Sequence, residues 1–277
     1  MKNSFFNKFV SFYKRRIEIP VGRNDLVLDL GSGDKPHWRA DVLLDFYIDE
    51  KFGNQRSGDS KTAITKPLII ANVENMPFKD KIFDFVICSH LLEHVQNPGK
   101  AINEIVRVGK AGYIELPYEG SAKLLDFPTH LWYCRKEKNT LVFTAKKNIA
   151  FDKEIDKLLE NATINTEFSA LGGKYFDLFS VQFPWKNRVA YKVNGKANMK
   201  ILNEAEDVNI RHGSANFKIR NFLILLTSIV FFYKKNNKKI DLEKILRCNK
   251  CKNSIEQING KIICKNCGNR IKLVEKK

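Results

Sequence analysis

The run Val27-Leu28-Asp29-Leu30-Gly31-Ser32-Gly33-Asp34 constrains this chain most: an apolar strand enters a glycine turn, with an acid two residues before the first glycine. Glycines at such a turn let backbone amides approach a ligand closely, where any Cβ would collide. After it, short β-type runs alternate with helical stretches. The runs are Leu26 to Leu30, Val42 to Phe46, Leu68 to Ala71, Phe83 to Ser89 and Gly112 to Leu116. Pro98 to Val108 reads as a crossover helix with Ala101, Ile102, Ile105 and Val106 on its apolar side, stopped by Gly109. Strands joined through helices require crossover connections, so the expectation is an α/β fold with a Rossmann-like, mostly parallel sheet.

Open parallel sheets bind ligands at the carboxyl ends of their strands. Four such ends carry suitable groups. The first is the glycine turn. The second strand ends in Asp45, whose carboxylate can accept from ribose hydroxyls. The third ends in Asn72-Val73, where an amide carbonyl can accept from an adenine amino group, and the fourth in Ser89-His90. A dinucleotide is disfavoured because Pro36 stands where the GxGxxG fingerprint needs its third glycine, and there is no lysine-bearing phosphate loop. The pattern suits a nucleoside without a pyrophosphate.

Asp29-Leu30-Gly31-Ser32-Gly33, Met76-Pro77-Phe78, Phe83-Asp84-Phe85-Val86 and Leu92-Glu93-His94-Val95 occur in that order. In this the segment from about residue 25 to 117 resembles the class I S-adenosylmethionine-dependent methyltransferases, specifically the type 11-like group. The resemblance implies S-adenosylmethionine as cofactor. Asp29, Gly31, Ser32 and Gly33 would then surround its methionine part, Asp45 its ribose, and Asn72 with Val73 its adenine, while Ser89 and His90 would line the reaction side. Lys35 replaces a glycine common in the group, and Asn72 an aspartate.

Methyl transfer from a sulfonium demands alignment more than any one catalytic group. A base helps if the acceptor must lose a proton, and histidine suits neutral pH. His90, His94 and His130 are the candidates; His94 is expected to pack or cap beneath the cofactor loop, and His130, after the fifth strand, is the candidate catalytic residue.

At the other end, Cys248-x2-Cys251 and Cys264-x2-Cys267 form two CxxC knuckles twelve residues apart. Four thiolates so spaced can surround one tetrahedral zinc and leave no open position, which makes the site structural. This segment resembles the short zinc ribbons found as activator subunits of, or fused to, methyltransferases, with Asp241 to Leu246 as its lead-in helix. The expected domains are a methyltransferase domain over 1–200, a linker with a hydrophobic and basic segment over 201–240, and a zinc ribbon over 241–277 that folds independently on its metal.

Smaller readings complete the chain. Residues 4 to 17 suit an amphipathic helix, 129 to 144 a hairpin, Asp152 to Leu159 a helix and Phe176 to Asn194 a further β-type stretch. Phe222 to Tyr233 is apolar but short of the ~20 residues that span a bilayer. Its lysine-rich flanks make 222–239 either a packing helix or a peripheral membrane contact. Paired CxxC spacing without a signal-peptide pattern points to a cytoplasmic, membrane-associable protein.

The net charge of +17 suits an anionic partner, and 14 Lys and Arg against 4 Asp and Glu fall in residues 234 to 277. These features lead to a methyltransferase acting on a small-molecule or glycan-type acceptor. The alternatives are an RNA methyltransferase whose ribbon helps hold RNA, and a non-catalytic scaffold that retains the fold.

Overall fold

The computed structural model describes residues 10, 13–16, 18–49, 62–124, 127–148, 154–155, 158, 161–201, 240–258 and 260–275. All of the expected 201–240 linker except its two end residues, including the 222–239 segment, and most of the expected helices over 4–17 and 152–159, lie outside these residues.

In chain order the strands are β1 (Val27–Leu30), β2 (Val42–Asp45), β3 (Leu68–Ile70), β4 (Phe83–Ser89), β5 (Gly109–Pro117), β6 (Trp132–Glu137), β7 (Thr140–Ala145), β8 (Ser180–Lys186), β9 (Ala190–Asn194), β10 (Ile255–Ile258), β11 (Lys261–Cys264) and β12 (Arg270–Val274). The helices are α1 (Pro98–Val108), α2 (Glu119–Leu124), α3 (Ala162–Lys174), α4 (Phe176–Phe179) and α5 (Leu242–Ile245), and a 3-10 turn covers Val73–Asn75. The chain divides into two compact units, one of residues 1–20, 88–102 and 113–210, the other of 21–87, 103–112 and 211–277. It passes between them within β4, α1 and β5.

In the second unit the strand order is β10-β11-β12-β3-β2-β1-β4-β5. β1 pairs parallel with β2, and β2 with β3. β1 and β2 are buried along their whole length, which is why they read as continuous apolar runs rather than alternating ones. On one face Ala40, Leu43 and Leu68 form a buried cluster against which Ile48, Ile64 and Val274 pack.

Val274 belongs to the cysteine-rich segment. β12 pairs antiparallel with β3, placing Lys272, Leu273 and Val274 opposite Ile70, Ile69 and Leu68. The segment is fastened a second time: Lys79 N donates to Ile245 O at 2.9 Å and Arg247 N to Pro77 O at 3.0 Å, flanking a bridge between Phe78 and Leu246. Arg247 also pairs with Asp80 at 3.0 Å. β10, β11 and β12 thus extend the central sheet, and β12 covers the edge of β3 that would otherwise offer unpaired backbone groups.

In the first unit β8 lies beside β5, and β6, β7 and β9 form a separate three-stranded sheet. β6 and β7 are the expected hairpin, paired from Trp132 with Ala145 to Glu137 with Thr140. The β-type reading of Phe176 to Asn194 needs correction in two places. Phe176–Phe179 is a helical turn, and Asn187, at φ 65°, breaks the remainder into β8 and β9, which belong to different sheets. Aromatic content favours strands, but here Phe176 is buried among its own unit's side chains, with Arg15 stacked 4.8 Å from its ring centre; tertiary packing overrides propensity. α3 had no counterpart in the sequence reading.

Candidate functional site

In the second unit the glycine turn is built as its sequence requires. Gly31 and Gly33 have φ of 65° and 49°, in the left-handed region that glycine enters without steric cost. Gly31 N donates to Leu44 O at 2.8 Å, which ties the turn to the neighbouring strand. Asp29 is buried, and its Oδ2 accepts from His37 N at 2.7 Å, holding the start of the following segment. Asp45 is more deeply committed than its sequence position suggests. Oδ2 accepts from Gly33 N at 2.8 Å, and Oδ1 accepts from Phe46 N and Tyr47 N at 2.7 and 3.1 Å. Asp45 therefore organises the turn as well as standing at a strand end.

Ser32 Oγ is buried and has no hydrogen-bond partner among the described residues. A buried hydroxyl left unsatisfied costs about 1–3 kcal/mol, so a polar ligand against this turn would be favoured. The observation fits a polar cofactor at this turn. Asn72, exposed at the end of β3, caps the 3-10 turn by accepting from Glu74 N at 2.8 Å, and Val73 behind it is buried. The structure thus brings Asp29, Gly31, Ser32, Gly33 and Asp45 together, with Asn72 at the end of the same sheet's next strand.

Arg107 of α1 supports this unit. Its guanidinium donates to Phe78 O and Met76 O at 2.7 and 3.0 Å and pairs with Glu104 and with Asp80 at 2.5 and 2.7 Å. Glu104 in turn accepts from Met76 N at 2.8 Å. The Met76-Pro77-Phe78 segment is therefore clamped from one helix.

The first unit holds a cluster of histidines and carboxylates. His90 follows β4 with φ 52°, a left-handed conformation rare for a non-glycine residue. Its N donates to Glu115 O at 2.9 Å, and its Nε2 lies 3.0 Å from Glu115 Oε1. Glu115 also meets Arg15 Nε at 2.8 Å and accepts from Tyr113 Oη at 3.2 Å. Burial opposes ionisation of Glu115, but Arg15 and the hydrogen bond from His90 outweigh it and hold the carboxyl down at about 2. Burial likewise opposes a charged His90, yet Glu115 and Glu93 raise it to about 9. With 41% of its side chain exposed, solvent softens both influences. The imidazolium that results at neutral pH is a donor rather than a base.

His94 Nδ1 lies 3.1 Å from Thr129 O. Its ring stands edge to face with His130, centroids 4.7 Å apart. Burial lowers the pKa of His94, and burial followed by the charges of His94, Lys146 and His90 lowers that of His130 well below its ordinary value. His130 is thus a neutral ring at physiological pH and chemically able to accept a proton. Its Nε2 is 3.9 Å from Glu93 Oε1.

Glu93, Glu115, Arg15 and Lys146 received no role from the sequence. The available signal was a charged residue in an apolar frame: Glu115 sits mid-strand, and Glu93 lies between Leu92 and Val95. Such groups are almost never buried without a partner.

In the C-terminal segment Cys248 and Cys264 are buried, Cys251 is partly exposed and Cys267 exposed. All four sulfurs lie within 4.8 Å of one another, with Sγ separations of 3.6 Å between Cys248 and Cys267 and 3.3 Å between Cys251 and Cys264. Lys250 N and Cys251 N point at Cys248 Sγ at 3.4 and 3.5 Å, amide bonds that favour a thiolate. These four residues could hold a metal. Among the described residues no helix is long and apolar enough to cross a membrane.

Residues 48–114 match a family described as a methyltransferase domain. Two uncharacterized proteins of Methanocaldococcus jannaschii are similar over short stretches. One is 55% identical over 42 residues, 15% of this chain and 18% of the relative; the other is 49% identical over 45 residues, 16% and 22%. The chain therefore matches about a fifth of the length of these relatives. Among solved structures, an S-adenosylmethionine-dependent methyltransferase from Thermotoga maritima aligns at 18% identity over 42% of this chain and 53% of that one, TM-score 0.29. A second from Methanosarcina mazei aligns at 19% identity over 43% and 69%, TM-score 0.28. A Pyrococcus horikoshii protein aligns at 15% identity over 66% and 87%, TM-score 0.31.

Proposed function

We propose that this chain is an S-adenosylmethionine-dependent methyltransferase acting on a small-molecule or glycan-type acceptor, with a structural zinc in its C-terminal ribbon. The observation that carries the cofactor reading is the glycine turn of Gly31 to Gly33 with its buried, unpartnered Ser32 hydroxyl, on a chain whose residues 48–114 match a methyltransferase domain.

Asp29, Gly31, Ser32, Gly33, Asp45, Asn72 and Val73 would hold the cofactor; Ser89 and His90 keep the role that the sequence resemblance gives them. S-adenosylmethionine supplies an electrophilic methyl on a sulfonium when bound. The chain's own contribution is alignment and exclusion of water. Gly31 and Gly33 keep the backbone open to close approach, and Asp45 fixes the turn through the Gly33 amide while Phe46 N and Tyr47 N hold its other oxygen. His130, neutral and half-buried, is the candidate to take a proton from a hydroxyl or amine acceptor.

Calorimetric titration with S-adenosylmethionine and its demethylated product tests this reading, with Ser32→Ala as the variant that leaves the turn's backbone bonds intact. Micromolar binding, weakened about tenfold in the variant, is expected. A folded protein that binds neither compound would overturn the enzyme reading in favour of a scaffold.

The basic character of the C-terminal segment favours RNA as a second reading of the acceptor. Binding of RNA that falls steeply with salt would support it.

A further inference from the structure

Glu93 is fully buried, and neither carboxylate oxygen has a hydrogen-bond partner among the described residues. His90 Nδ1 makes an ion pair with Oε1 at 3.3 Å and His130 Nε2 lies at 3.9 Å, neither with the alignment of a hydrogen bond. A fully buried carboxylate with one ion pair and no aligned hydrogen bond keeps unused acceptor capacity, which a native fold retains when something else satisfies it. The residues around it have the chemistry to do so through a cation. One oxygen of Glu93 and one nitrogen each of His94 and His130 lie within 4.8 Å of one another.

The second layer points the same way. His94 Nδ1 faces the carbonyl of Thr129 at 3.1 Å, and toward a carbonyl a ring nitrogen can only donate. Thr129 Oγ1 also stands 3.3 Å from Nδ1 and could donate to it; in the tautomer that gives the Nδ1 proton to the carbonyl, Nε2 is the basic nitrogen. A ring N–H held by a backbone carbonyl is the arrangement that orients metal-ligating histidines. Leu131 N donates to Glu93 O at 2.7 Å, pinning the His130 loop against the Glu93 turn, so the three groups are held by backbone bonds rather than by long flexible side chains. His130 Nδ1 is a further buried atom without a partner.

We propose that Glu93, His94 and His130 bind a divalent transition-metal ion, distinct from the four-cysteine site. Two imidazoles and a carboxylate suit zinc, iron, cobalt or manganese rather than magnesium or calcium, which take oxygen ligands. Three protein ligands leave a position for water or for an acceptor oxygen. His94 and His130 are both partly exposed, so that position can open to solvent. His90 and Lys146 are the cationic neighbours; Lys146 is spent on Phe127 O at 3.2 Å, and His90 pairs with Glu115 through Nε2 and with Glu93 Oε1 through Nδ1, leaving Oε2 for the ion. The site would bring an acceptor hydroxyl to a Lewis acid beside His90. It does not depend on the cofactor assignment, and with the ion bound His130 would serve as its ligand in place of the proton acceptor proposed above.

The test is metal stoichiometry of the full chain, loaded with cobalt(II) or zinc, desalted and analysed by mass spectrometry alongside the cobalt absorption spectrum. Wild type is expected to retain two equivalents, one giving intense sulfur-to-metal charge transfer and the other only weak d–d bands of a nitrogen and oxygen site. Glu93→Gln and His130→Asn are each expected to retain one, with the thiolate bands unchanged. Wild-type saturation at one equivalent, or a second equivalent with thiolate character, would overturn the proposal whether or not the variants fold. Retention of two equivalents by both variants would overturn it as well.

Discussion

Leu273 of the ribbon stands in antiparallel register with Ile69 of β3, in the middle of a three-residue ladder that makes β12 a strand of the central sheet. A metal held by the four cysteines would therefore be mechanically connected to the sheet's edge through β11 and β12. Chelating the metal should unpair β12 and expose β3, which opposes the expectation that the ribbon folds and unfolds alone. Hydrogen exchange is the measurement: the amides of residues 68–70 should lose protection in parallel with those of 261–274. Unchanged protection at 68–70 in fully demetallated protein would restore the independent-domain view. Leu273→Pro, which removes a backbone donor from the segment paired with β3, should cost about 1–3 kcal/mol.

Arg107 gathers two backbone carbonyls and two carboxylates around one guanidinium. Replacing it with alanine strands Glu104 and two carbonyls together, so Arg107→Ala should destabilise the chain by about 2–4 kcal/mol in urea denaturation. Arg107→Lys should recover little of that, since an ammonium cannot reproduce the planar fork. Full rescue by lysine would mean that charge alone matters there.

Glu115 gives a pH dependence whose sign is fixed. Its carboxyl titrates at about 2 in the folded chain against an ordinary 4.5. The folded state therefore prefers the ionised form. The stability this confers is present above about pH 4.5 and is lost as pH falls through about 2, a contribution of roughly 3 kcal/mol. Glu115 also raises His90 to about 9, so the difference in unfolding free energy between wild type and Glu115→Gln should grow as pH falls from about 9 to 6.5, hold level to about 5 and shrink below that. A difference that grows on acidification below about pH 5 would contradict the assignment.

Gly33 combines φ of 49° with an amide donated to Asp45. Gly33→Ala forces a side chain into the left-handed region at a cost of about 1–2 kcal/mol. Thermal denaturation should register that loss, and calorimetry should show cofactor affinity falling further than the stability change explains. A variant of reduced stability but full affinity would place the cofactor elsewhere.

What the sequence determined by itself is what short-range chemistry enforces. The glycine turn follows from the φ of two residues, α1 from Pro98 to Val108 from an apolar stripe between a proline and a glycine, and the cysteine cluster from spacing that lets each CxxC knuckle close on itself. β1 to β5 were legible because strands buried on both faces are written as continuous apolar runs. The α4 turn and the division of β8 from β9 were not, because aromatic residues suit either state and burial decided. Nor was the docking of β12 on β3, since backbone hydrogen bonding between distant strands leaves no trace in side-chain pattern. Tertiary structure alone made Asp45 an organiser of the glycine turn, matched Arg15 to Glu115, and set His130 beside Glu93. A buried charge announces that it needs a partner, but only the folded chain, by bringing remote segments within a few ångströms, says which partner it has.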